Sequence, residues 1–443
     1  MTRAGIDDFL IRHFVAIAGV LALLGYAAVY GHRQAPDPIR SDGYSYYVYL
    51  PSWFLHGDAT FDAQARTLPG GLYPDFSGIR RWPGTDRWLN PHPMGPALLI
   101  APFFLVAHVL TRWSSFAPDG FSLFYQHAAG LAGLTYMLAG LAVLRRILRR
   151  HFPASVVLAT LTTMTWGTNL FHYGVYDSVF SHAYSFFLIA VLLWIVEAWW
   201  EQPTPGRSIA IGLTLAAIFL TRHTNAIFAL IVLLYGVTDW PSLRERAFAI
   251  LHRARAFVLI GVAGAAGVLP QLVLYKWATG LWLPSPYAAL GAGFTFSSPH
   301  LYDVLFSVQK GVFFWSPVLL LAVAGWIVAR GWATNFVWAA ALVLGINTFL
   351  IASWFDWQFG GSYGHRGFTD GFALVAVFMA SFFAWTAAPR KPLARRAITG
   401  AALGFAAIAT LLSVVQMIQY WLGVVPFNDT TWDQYRDLFL RFR

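Results

Sequence analysis

The feature that most constrains this chain is a series of apolar segments, the longer of which can each form a helix across a bilayer. A hydrocarbon core about 30 Å thick needs roughly 20 helical residues, because a helix rises about 1.5 Å per residue. The segments lie at 11–30, 94–111, 122–144, 154–170, 179–199, 207–220, 224–239, 256–275, 311–330, 334–352, 367–388 and 398–421. Since lipid offers the backbone no hydrogen-bond partner, we expect these segments to be helical. The sequence therefore predicts an all-α polytopic membrane protein.

The composition agrees with a membrane bundle and argues against a soluble protein. Hydrophobic residues make up 58% of the chain and charged residues 11%, whereas a soluble domain carries roughly a quarter charged residues. The formal net charge is +10, but the basic residues cluster in short connections between apolar segments. That pattern is typical of membrane insertion and not of nucleic-acid binding, so we expect a bilayer and no nucleic acid as partner. The lack of cysteine excludes disulfides, thiolate metal sites and a cysteine nucleophile.

Arginine placement in the short connections predicts the topology. The strongly basic connections are Arg145 to Arg150, Arg244 to Arg255, and Arg390 to Arg396. Positive charge stays on the cytoplasmic side, so all of them should lie there. If every apolar segment crossed, the first of these loops would fall on the opposite side from the others. We therefore expect about eleven crossings, with the proline-rich start of 94–111 marking that segment as a re-entrant or juxtamembrane helix.

The domain organisation follows from the lack of any long polar stretch. We interpret 1–443 as a single integral membrane domain, with a first outer loop at 31–93 that carries a juxtamembrane helix, and an outer C-terminal tail at 424–443. The first apolar segment has no small-residue cleavage site followed by a polar domain, so we expect a retained signal anchor. A compact chain without a retention motif favours a bacterial inner membrane. The N-terminus would be cytoplasmic and the C-terminus periplasmic.

The outer loops collect the residues with chemical interest, beginning with Asp42. It precedes an aromatic stretch over 43–57 whose helical spacing predicts an amphipathic helix in the membrane interface. A carboxylate suits the start of such a helix, where it faces free N–H groups and the positive end of the helix dipole. A carboxylate just outside the bilayer also suits a general base that acts on lipid-borne substrates. Both roles stay open.

Two further outer segments carry histidines. Asp177 and His182 lie where one apolar segment ends and the next begins, and such a pair can share a divalent cation or hold a phosphate and its proton. The alternative is a helix-capping carboxylate and an interfacial histidine. His92 lies in the proline-rich run that closes the first outer loop. It would contact a phosphate or mark the interface.

Three cations of the outer loops lie at positions that predict a shared phosphate- or pyrophosphate-binding site. Arg222 lies between two short apolar segments, where an arginine is costly and is a functional candidate by default, although it can also extend to the interface. Lys310 and Arg366 each precede an apolar segment, where a cation opposes the helix dipole and needs an anionic partner. The loop before Arg366 carries glycines that allow a sharp turn or close approach to a ligand, namely Gly360, Gly361 and Gly364.

The combined pattern resembles the GT-C superfamily of polytopic glycosyltransferases, in particular the protein O-mannosyltransferases and the bacterial aminoarabinose transferases. The resemblance extends over most of the chain. It is carried by Asp42 with 43–57, the proline-rich start at 90–102, the basic loop Arg145 to Arg150, Asp177, Thr221-Arg222, and Gly360 to Arg366. Two positions depart from it, since Gly43 stands where many relatives carry a second acid and His92 where some carry an acid–lysine pair. These departures leave the donor class and the acceptor open.

This resemblance implies a GT-C-like bundle and a membrane glycosyltransferase activity. A sugar would move from a polyprenyl-phosphate-linked donor to a lipid, glycan or protein acceptor at the periplasmic face, with inversion, and Asp42 would act as general base. The other implied roles are phosphate binding for Arg222, Lys310 and Arg366, and donor or metal positioning for Asp177, His182 and His92. Because a lipid phosphate is a good leaving group, no cofactor is required, and a divalent cation, Mg²⁺ or Mn²⁺, stays open.

Two other classes of function compete with this interpretation. A transporter or lipid flippase would place ionisable residues near the bilayer midplane and often contains a structural repeat. Here the ionisable residues lie at the ends of apolar segments, which favours an enzyme at the interface. A scaffold or assembly subunit could keep the same architecture without activity.

Overall fold

The computed structural model describes residues 3–32, 37–67, 78–287, 292–389 and 391–442. Arg390 of a predicted basic loop, Arg443 of the predicted tail, and part of the predicted outer loop 31–93 lie outside the described residues. The α-helices are α1 (Arg3–Tyr30), α2 (Asp42–Tyr47), α3 (Tyr49–His56), α4 (Asp62–Thr67), α5 (Gly95–Arg112), α6 (Leu123–His151), α7 (Ala154–Trp166), α8 (Leu170–Val175), α9 (His182–Glu201), α10 (Pro205–Thr221), α11 (Ala229–Leu234), α12 (Trp240–His252), α13 (Ala254–Thr279), α14 (Leu301–Phe306), α15 (Val312–Trp315), α16 (Leu319–Ile327), α17 (Val337–Ser353), α18 (Phe372–Ala387), α19 (Pro392–Trp421) and α20 (Trp432–Leu438).

The remaining regular structure is short. Segments of 3₁₀ helix at His223–Phe228, Gly331–Phe336 and Arg366–Gly371 precede α11, α17 and α18. Strands β1 (Arg80–Arg81) and β2 (Trp88–Leu89) form an antiparallel pair. Within the described part of the chain, eight helices are long and apolar enough to cross a membrane, and three shorter apolar helices accompany them. The predicted class, an all-α polytopic membrane protein, is confirmed.

Several helices differ in length from the predicted segments, and local chemistry explains the difference. The segment 311–330 is broken into α15 and α16 at Pro317, because proline cannot donate the helical hydrogen bond. The basic stretch Arg244 to Arg255 was predicted as a loop, but most of it lies in α12. That helix begins with a capping box, in which the Asp239 carboxylate accepts a hydrogen bond from the backbone N–H of Ser242 at 2.8 Å.

The two ends of the bundle differ in charge. At one end, Arg253 donates to the carbonyl oxygen of Trp200 at 2.9 Å, and the His151 ring stacks on Trp332 with centroids 4.1 Å apart. We call this end the basic face, since it holds the connections 145–153 and 235–255. We call the opposite end the site face, since it holds 37–67, 78–94, 176–181 and 354–365. Two of the three predicted basic connections thus lie at the same end of the bundle.

Helix α5 starts and ends at the site face. The backbone at Gly95 packs against the last residues of α10, where a Cβ would lie 2.4 Å from the carbonyl oxygen of Leu220. Beyond its other end, the carbonyl oxygen of Gly120 accepts a hydrogen bond from Tyr47 of α2 at 2.5 Å. Gln126 then accepts one from the backbone N–H of Ile39 at 2.9 Å. Its length and hydropathy would allow α5 to cross a membrane, but its packing agrees with the prediction that 94–111 does not.

The remaining segments run between the two faces. Among the described residues they are α1, α6, α7 with α8, α9, α10, His223–Phe228 with α11, α13, α15 with α16, Gly331–Phe336 with α17, Arg366–Gly371 with α18, and α19. The number of passages is odd, so the two ends of the described chain lie at opposite faces. The predicted number of about eleven membrane crossings and the orientation of the termini stay predictions.

The approach of α6 to the turn after α8 depends on Gly133. A Cβ there would lie 1.7 Å from the carbonyl oxygen of Ser178, a backbone atom that cannot rotate away. We expect Gly133→Ala to lower the midpoint of thermal unfolding by several degrees, because overpacking costs about 1–3 kcal/mol or more. Gly261→Ala in α13 is the matched control, since a Cβ there meets nothing within 4 Å. Equal unfolding midpoints for the two purified variants would contradict this close packing.

Candidate functional site

The site face brings Asp42 and Arg366 together from distant parts of the chain. Oδ2 of Asp42 lies 2.8 Å from Nη1 of Arg366. The side chains are 26% and 14% exposed, so a substrate can reach the pair. Asp42 is the first residue of α2, and the start of that helix has no side-chain capping hydrogen bond. The carboxylate lies in the first turn of α2, near the positive end of the helix dipole, and the ion pair with Arg366 adds a second contact without excluding that role.

The backbone around Asp42 is held by close packing. Ser41 has φ 49°, a left-handed conformation that costs a residue with a Cβ about 1 kcal/mol or more. Gly43 lies against the turn that follows α8, where a Cβ would be 3.1 Å from Cβ of Val179. Asn90 donates to the carbonyl oxygen of Ser45 at 2.7 Å. These contacts fix α2 between the turn after α8 and the loop before α5, and so fix the direction of the Asp42 side chain.

The charge state of Asp42 reflects two opposing influences. Burial raises the pKa of the carboxyl, while Arg366 foremost, and then His92 and Arg222, lower it. The net result is a pKa below the usual range of an aspartate. Asp42 is therefore ionised at neutral pH, and Arg366 holds it so.

Arg222 lies beside this pair with hydrogen-bonding capacity to spare. Its Nη1 is 3.9 Å from Oδ2 of Asp370, and this is the nearest carboxylate contact it makes among the described residues. Its guanidinium carbon is 5.2 Å from the centre of the Phe359 ring, and that of Arg366 is 5.9 Å from the same ring. The two arginines thus share one aromatic neighbour. Both arginines also lower the pKa of Asp42 through their positive charge.

A buried polar network supports Arg222 and includes Asp370, which the sequence analysis did not single out. Oδ1 of Asp370 accepts from Nδ1 of His182 at 2.8 Å, and Oδ2 accepts from Asn225 at 2.9 Å. Asn225 also donates to Ser185 at 3.2 Å. All of these side chains except that of Arg222 are buried. The sequence could have identified Asp370 as a candidate, because it is a carboxylate within the apolar segment 367–388 and ionisable residues inside membrane segments are functional candidates.

Asp177 belongs to a different cluster from His182. Its Oδ1 accepts from Arg40 at 3.0 Å, and its Oδ2 lies 2.9 Å from Nε2 of His172. The indole N–H of Trp421 donates to Nδ1 of His172 at 2.9 Å. Because an indole can only donate, Nδ1 is the acceptor and Nε2 carries the proton that His172 donates to Asp177. The structure does not bring the predicted Asp177–His182 pair together, and Asp177 instead anchors Arg40.

Asp177 should therefore contribute to stability in a pH-dependent way. Burial raises its pKa, but Arg40 and the hydrogen bond from His172 lower it more, to about 2 from an ordinary 3.8. A lowered pKa adds stability that is complete above about pH 4 and is lost as the pH falls to about 2. Asp177→Asn should lower the free energy of unfolding by about 2 kcal/mol or more at pH 7, measured by thermal unfolding.

The control for this variant is Asp433→Asn. Asp433 also pairs with an arginine, Arg436, but its side chain is 82% exposed. Exposed pairs contribute little, so we expect a change below about 1 kcal/mol. If the two variants lose the same free energy of unfolding at pH 7, the contacts of Asp177 with Arg40 and His172 do not stabilise the fold as described.

Lys310 lies near Arg366 but is engaged elsewhere. Its ammonium donates to the carbonyl oxygens of Ser362 and, at 2.7 Å, Phe427, and the residue is 2% exposed. Burial, and then the charge of Arg366, lowers its pKa to about 7. These contacts tie the glycine loop to the tail after α19 and leave the ammonium little freedom to bind a phosphate.

Two of the three glycines predicted in that loop are required by its backbone conformation. Gly360 and Gly364 have φ of 60° and 59°, which favours glycine, and a Cβ at Gly364 would lie 3.2 Å from Trp315. A Cβ at Gly361 would make only ordinary contacts of 3.7 Å with Phe427 and Asn428. The loop therefore turns sharply before Arg366, and this turn directs that residue toward Asp42.

His92 lines the other side of the cluster. Its backbone N–H donates to Asn90 at 2.9 Å, and its ring packs edge-on against Tyr46 with centroids 4.7 Å apart. Burial lowers its pKa to about 4, so the ring is neutral at pH 7. Nδ1 of His92 is buried and has no hydrogen-bond partner among the described residues. A buried polar atom of this kind next to Asp42 is suited to a ligand hydroxyl.

The donor set does not fit a resident divalent cation. The described part of the chain has no group of three or more His, Asp or Glu that could hold a metal ion. The carboxylates of the cluster are already engaged, Asp42 with Arg366 and Asp370 with His182 and Asn225. Hard cations such as Mg²⁺ prefer several oxygen ligands, so Mg²⁺ or Mn²⁺ would have to displace an arginine. The arrangement fits an anion better.

No protein-family profile and no curated protein matches the chain. Among solved structures, it is similar to the archaeal oligosaccharyltransferase AglB from Archaeoglobus fulgidus, determined in complex with an inhibitory peptide and a dolichol-phosphate. The two sequences are 11% identical, and the TM-score is 0.48. The match covers 98% of this chain and 60% of that one. The chain thus spans less than two thirds of that protein's length.

Proposed function

We propose that this protein is a membrane glycosyltransferase that acts at the site face. In this proposal it moves a sugar from a polyprenyl-phosphate-linked donor to a lipid, glycan or protein acceptor, with inversion. The observation that carries the proposal is the position of Asp42 next to Arg366 and Arg222, within reach of solvent at the ends of membrane helices. A carboxylate base beside two phosphate-binding cations is what transfer from a lipid phosphate requires.

The arginines supply the electrostatic part of the reaction. Arg222 and Arg366 would bind the donor phosphate, which carries growing negative charge as the bond from the anomeric carbon to the phosphate oxygen breaks. The Phe359 ring that both contact would keep them on one side of the phosphate. His182, Asp370 and Asn225 would hold Arg222 in position and touch no substrate. The leaving group is the polyprenyl phosphate.

Asp42 supplies the base. The acceptor hydroxyl or amine would lose its proton to Asp42 while its oxygen or nitrogen attacks the anomeric carbon from the side opposite the phosphate. A donor phosphate would compete with Asp42 for Arg366. As that ion pair weakens, burial would dominate and the pKa of Asp42 would rise, making it a stronger base when the donor is bound.

The polyprenyl tail would lie along α5. This helix starts and ends at the site face, and residues along it remain well exposed, including Leu98 at 49% and Val106 at 61%. Exposed aliphatic side chains near the cluster suit an isoprenoid chain that enters from the lipid. Basic loops stay in the cytoplasm, so this geometry corresponds to transfer at the periplasmic side of an inner membrane.

The proposal is tested by reconstitution into liposomes. Radiolabelled polyprenyl-phosphate hexoses and pentoses are supplied one at a time, with and without an extract of envelope lipids and glycans as acceptor. Acceptor-dependent release of polyprenyl phosphate from at least one donor supports the proposal. Movement of intact donor across the membrane without bond cleavage supports a transporter or flippase instead, and contradicts it.

A further inference from the structure

A cavity of about 610 Å³ opens at the basic face, far from Asp42. It lies between α1, α6 and α9. Its wall includes four arginines, Arg12, Arg145, Arg146 and Arg149, and one carboxylate, Asp8. The proposed glycosyl transfer uses none of these residues.

The arginines of the cavity differ in how fully they are engaged. Arg145 donates to the carbonyl oxygens of Ile11 and Arg12, at 3.1 and 2.6 Å, and so joins α6 to α1. Arg149 pairs with Asp8 at 3.3 Å, but both side chains are well exposed, at 41% and 55%. Arg146 is exposed and lies over the ring of Trp194, with 5.0 Å between its guanidinium carbon and the ring centre. Positive charge thus exceeds negative charge, and much of it is free to face a ligand.

The position of the cavity along α6 corresponds to a membrane surface. Arg149 lies roughly 33 Å along α6 from His127, which contacts the opposite end of α1, and this is about the thickness of a hydrocarbon core. The wall also includes apolar residues from the membrane part of α1 and α6, among them Ile11 and Val143. Trp194, whose ring carries both apolar surface and an N–H group, is of the type that lies at headgroup level.

We propose that this cavity binds the headgroup of an anionic phospholipid from the leaflet at the basic face. The lipid phosphate would contact Arg146 and Arg149, while the acyl chains would follow the apolar wall into the bilayer. The positive charge of the cavity would attract either a lipid headgroup or a dissolved anion. Its apolar wall and its position at the membrane surface favour the lipid, because a free phosphate would make no contact with apolar side chains. Basic pockets between membrane helices are suited to such headgroups.

The test compares two pairs of arginines at the same face. The purified full-length protein is incubated with phosphatidylglycerol or phosphatidylcholine in detergent, and bound lipid is counted by native mass spectrometry. R146Q/R149Q should weaken phosphatidylglycerol binding by about tenfold or more, while the wild type prefers phosphatidylglycerol over phosphatidylcholine. R395Q/R396Q is the matched control, because these exposed arginines also lie at the basic face but outside the cavity. It should change binding by less than about twofold.

Three results would overturn this inference. Equal losses in the two double variants would mean that only the overall surface charge attracts lipid. Equal binding of the two lipids by the wild type would remove the charge argument. Displacement of phosphatidylglycerol by millimolar inorganic phosphate would mean that the cavity binds free anions. The single variant Arg146→Gln keeps the Arg149–Asp8 ion pair, because Arg146 itself makes no ion pair among the described residues. This variant should still weaken phosphatidylglycerol binding severalfold.

Discussion

Asp42→Asn is expected to reduce the rate of sugar transfer by about a thousandfold or more, while the protein stays folded and still binds its donor. An amide has the shape of the carboxylate but cannot take a proton. The variant therefore removes the base, together with the negative charge that pairs with Arg366, and a positioned base contributes about 10²–10⁴ in rate. The measurement is single-turnover transfer in proteoliposomes, with enzyme in excess over donor and with saturating acceptor. Donor affinity, measured separately, should stay the same or increase, because the donor phosphate no longer competes with a carboxylate for Arg366.

The control for Asp42→Asn is Asp86→Asn in the same loop region. Asp86 pairs with Arg81 but is 82% exposed, and its φ of 53° suits asparagine. This variant should keep nearly normal turnover. Near-normal turnover in Asp42→Asn as well would remove Asp42 from the role of base, whatever the other residues do.

Arg366→Gln is expected to lower kcat/KM by about 10²–10³, the cost of losing one preorganised group that stabilises developing negative charge. It should also move the pH profile. Burial, which raises the pKa of Asp42, would then be opposed only by the weaker influences of groups such as His92 and Arg222, so the pKa would rise. A base with a higher pKa is protonated up to a higher pH. The acid limb of the activity profile should therefore shift to higher pH.

Arg81→Gln is the matched control for this second prediction, since Arg81 is 49% exposed and also pairs with an aspartate, Asp86. It should change neither the rate nor the pH profile. Arg366→Lys keeps the charge and should recover part of the rate. A fall in kcat/KM without any shift of the acid limb would mean that Arg366 does not control the protonation of Asp42.

The overall architecture could be predicted from the sequence because lipid offers the backbone no hydrogen-bond partner, so membrane-embedded segments of this kind must be helical. Apolar length fixes which segments are helical, and arginine placement fixes how they alternate. Counting charged loops predicted that one segment does not cross, and the proline-rich start of 94–111 indicated which one. Helix ends were less predictable, since breaks such as that at Pro317 depend on how neighbouring helices satisfy the freed backbone groups.

The pairing of side chains at the site could be predicted only in part. The need of Arg366 for an anionic partner followed from its place at a helix start, but nothing in the sequence identified Asp42 as that partner. Arg40, the partner of Asp177, lies in a polar stretch with no distinguishing pattern. Lys310 was grouped with the arginines by charge, yet its contacts with two carbonyl oxygens depend on the tail after α19. Such pairings depend on long-range packing, which a single sequence does not reveal.

The most direct test of the proposed site is to locate the donor phosphate by cryo-electron microscopy. The sample is the purified Asp42→Asn variant in complex with a polyprenyl-phosphate sugar, which this variant should bind without transferring the sugar. We expect the phosphate within hydrogen-bond distance of Arg222 and Arg366, and the anomeric carbon on the side of residue 42. A phosphate bound elsewhere, with Arg222 and Arg366 making no contact to it, would contradict the assignment of this cluster as the active site.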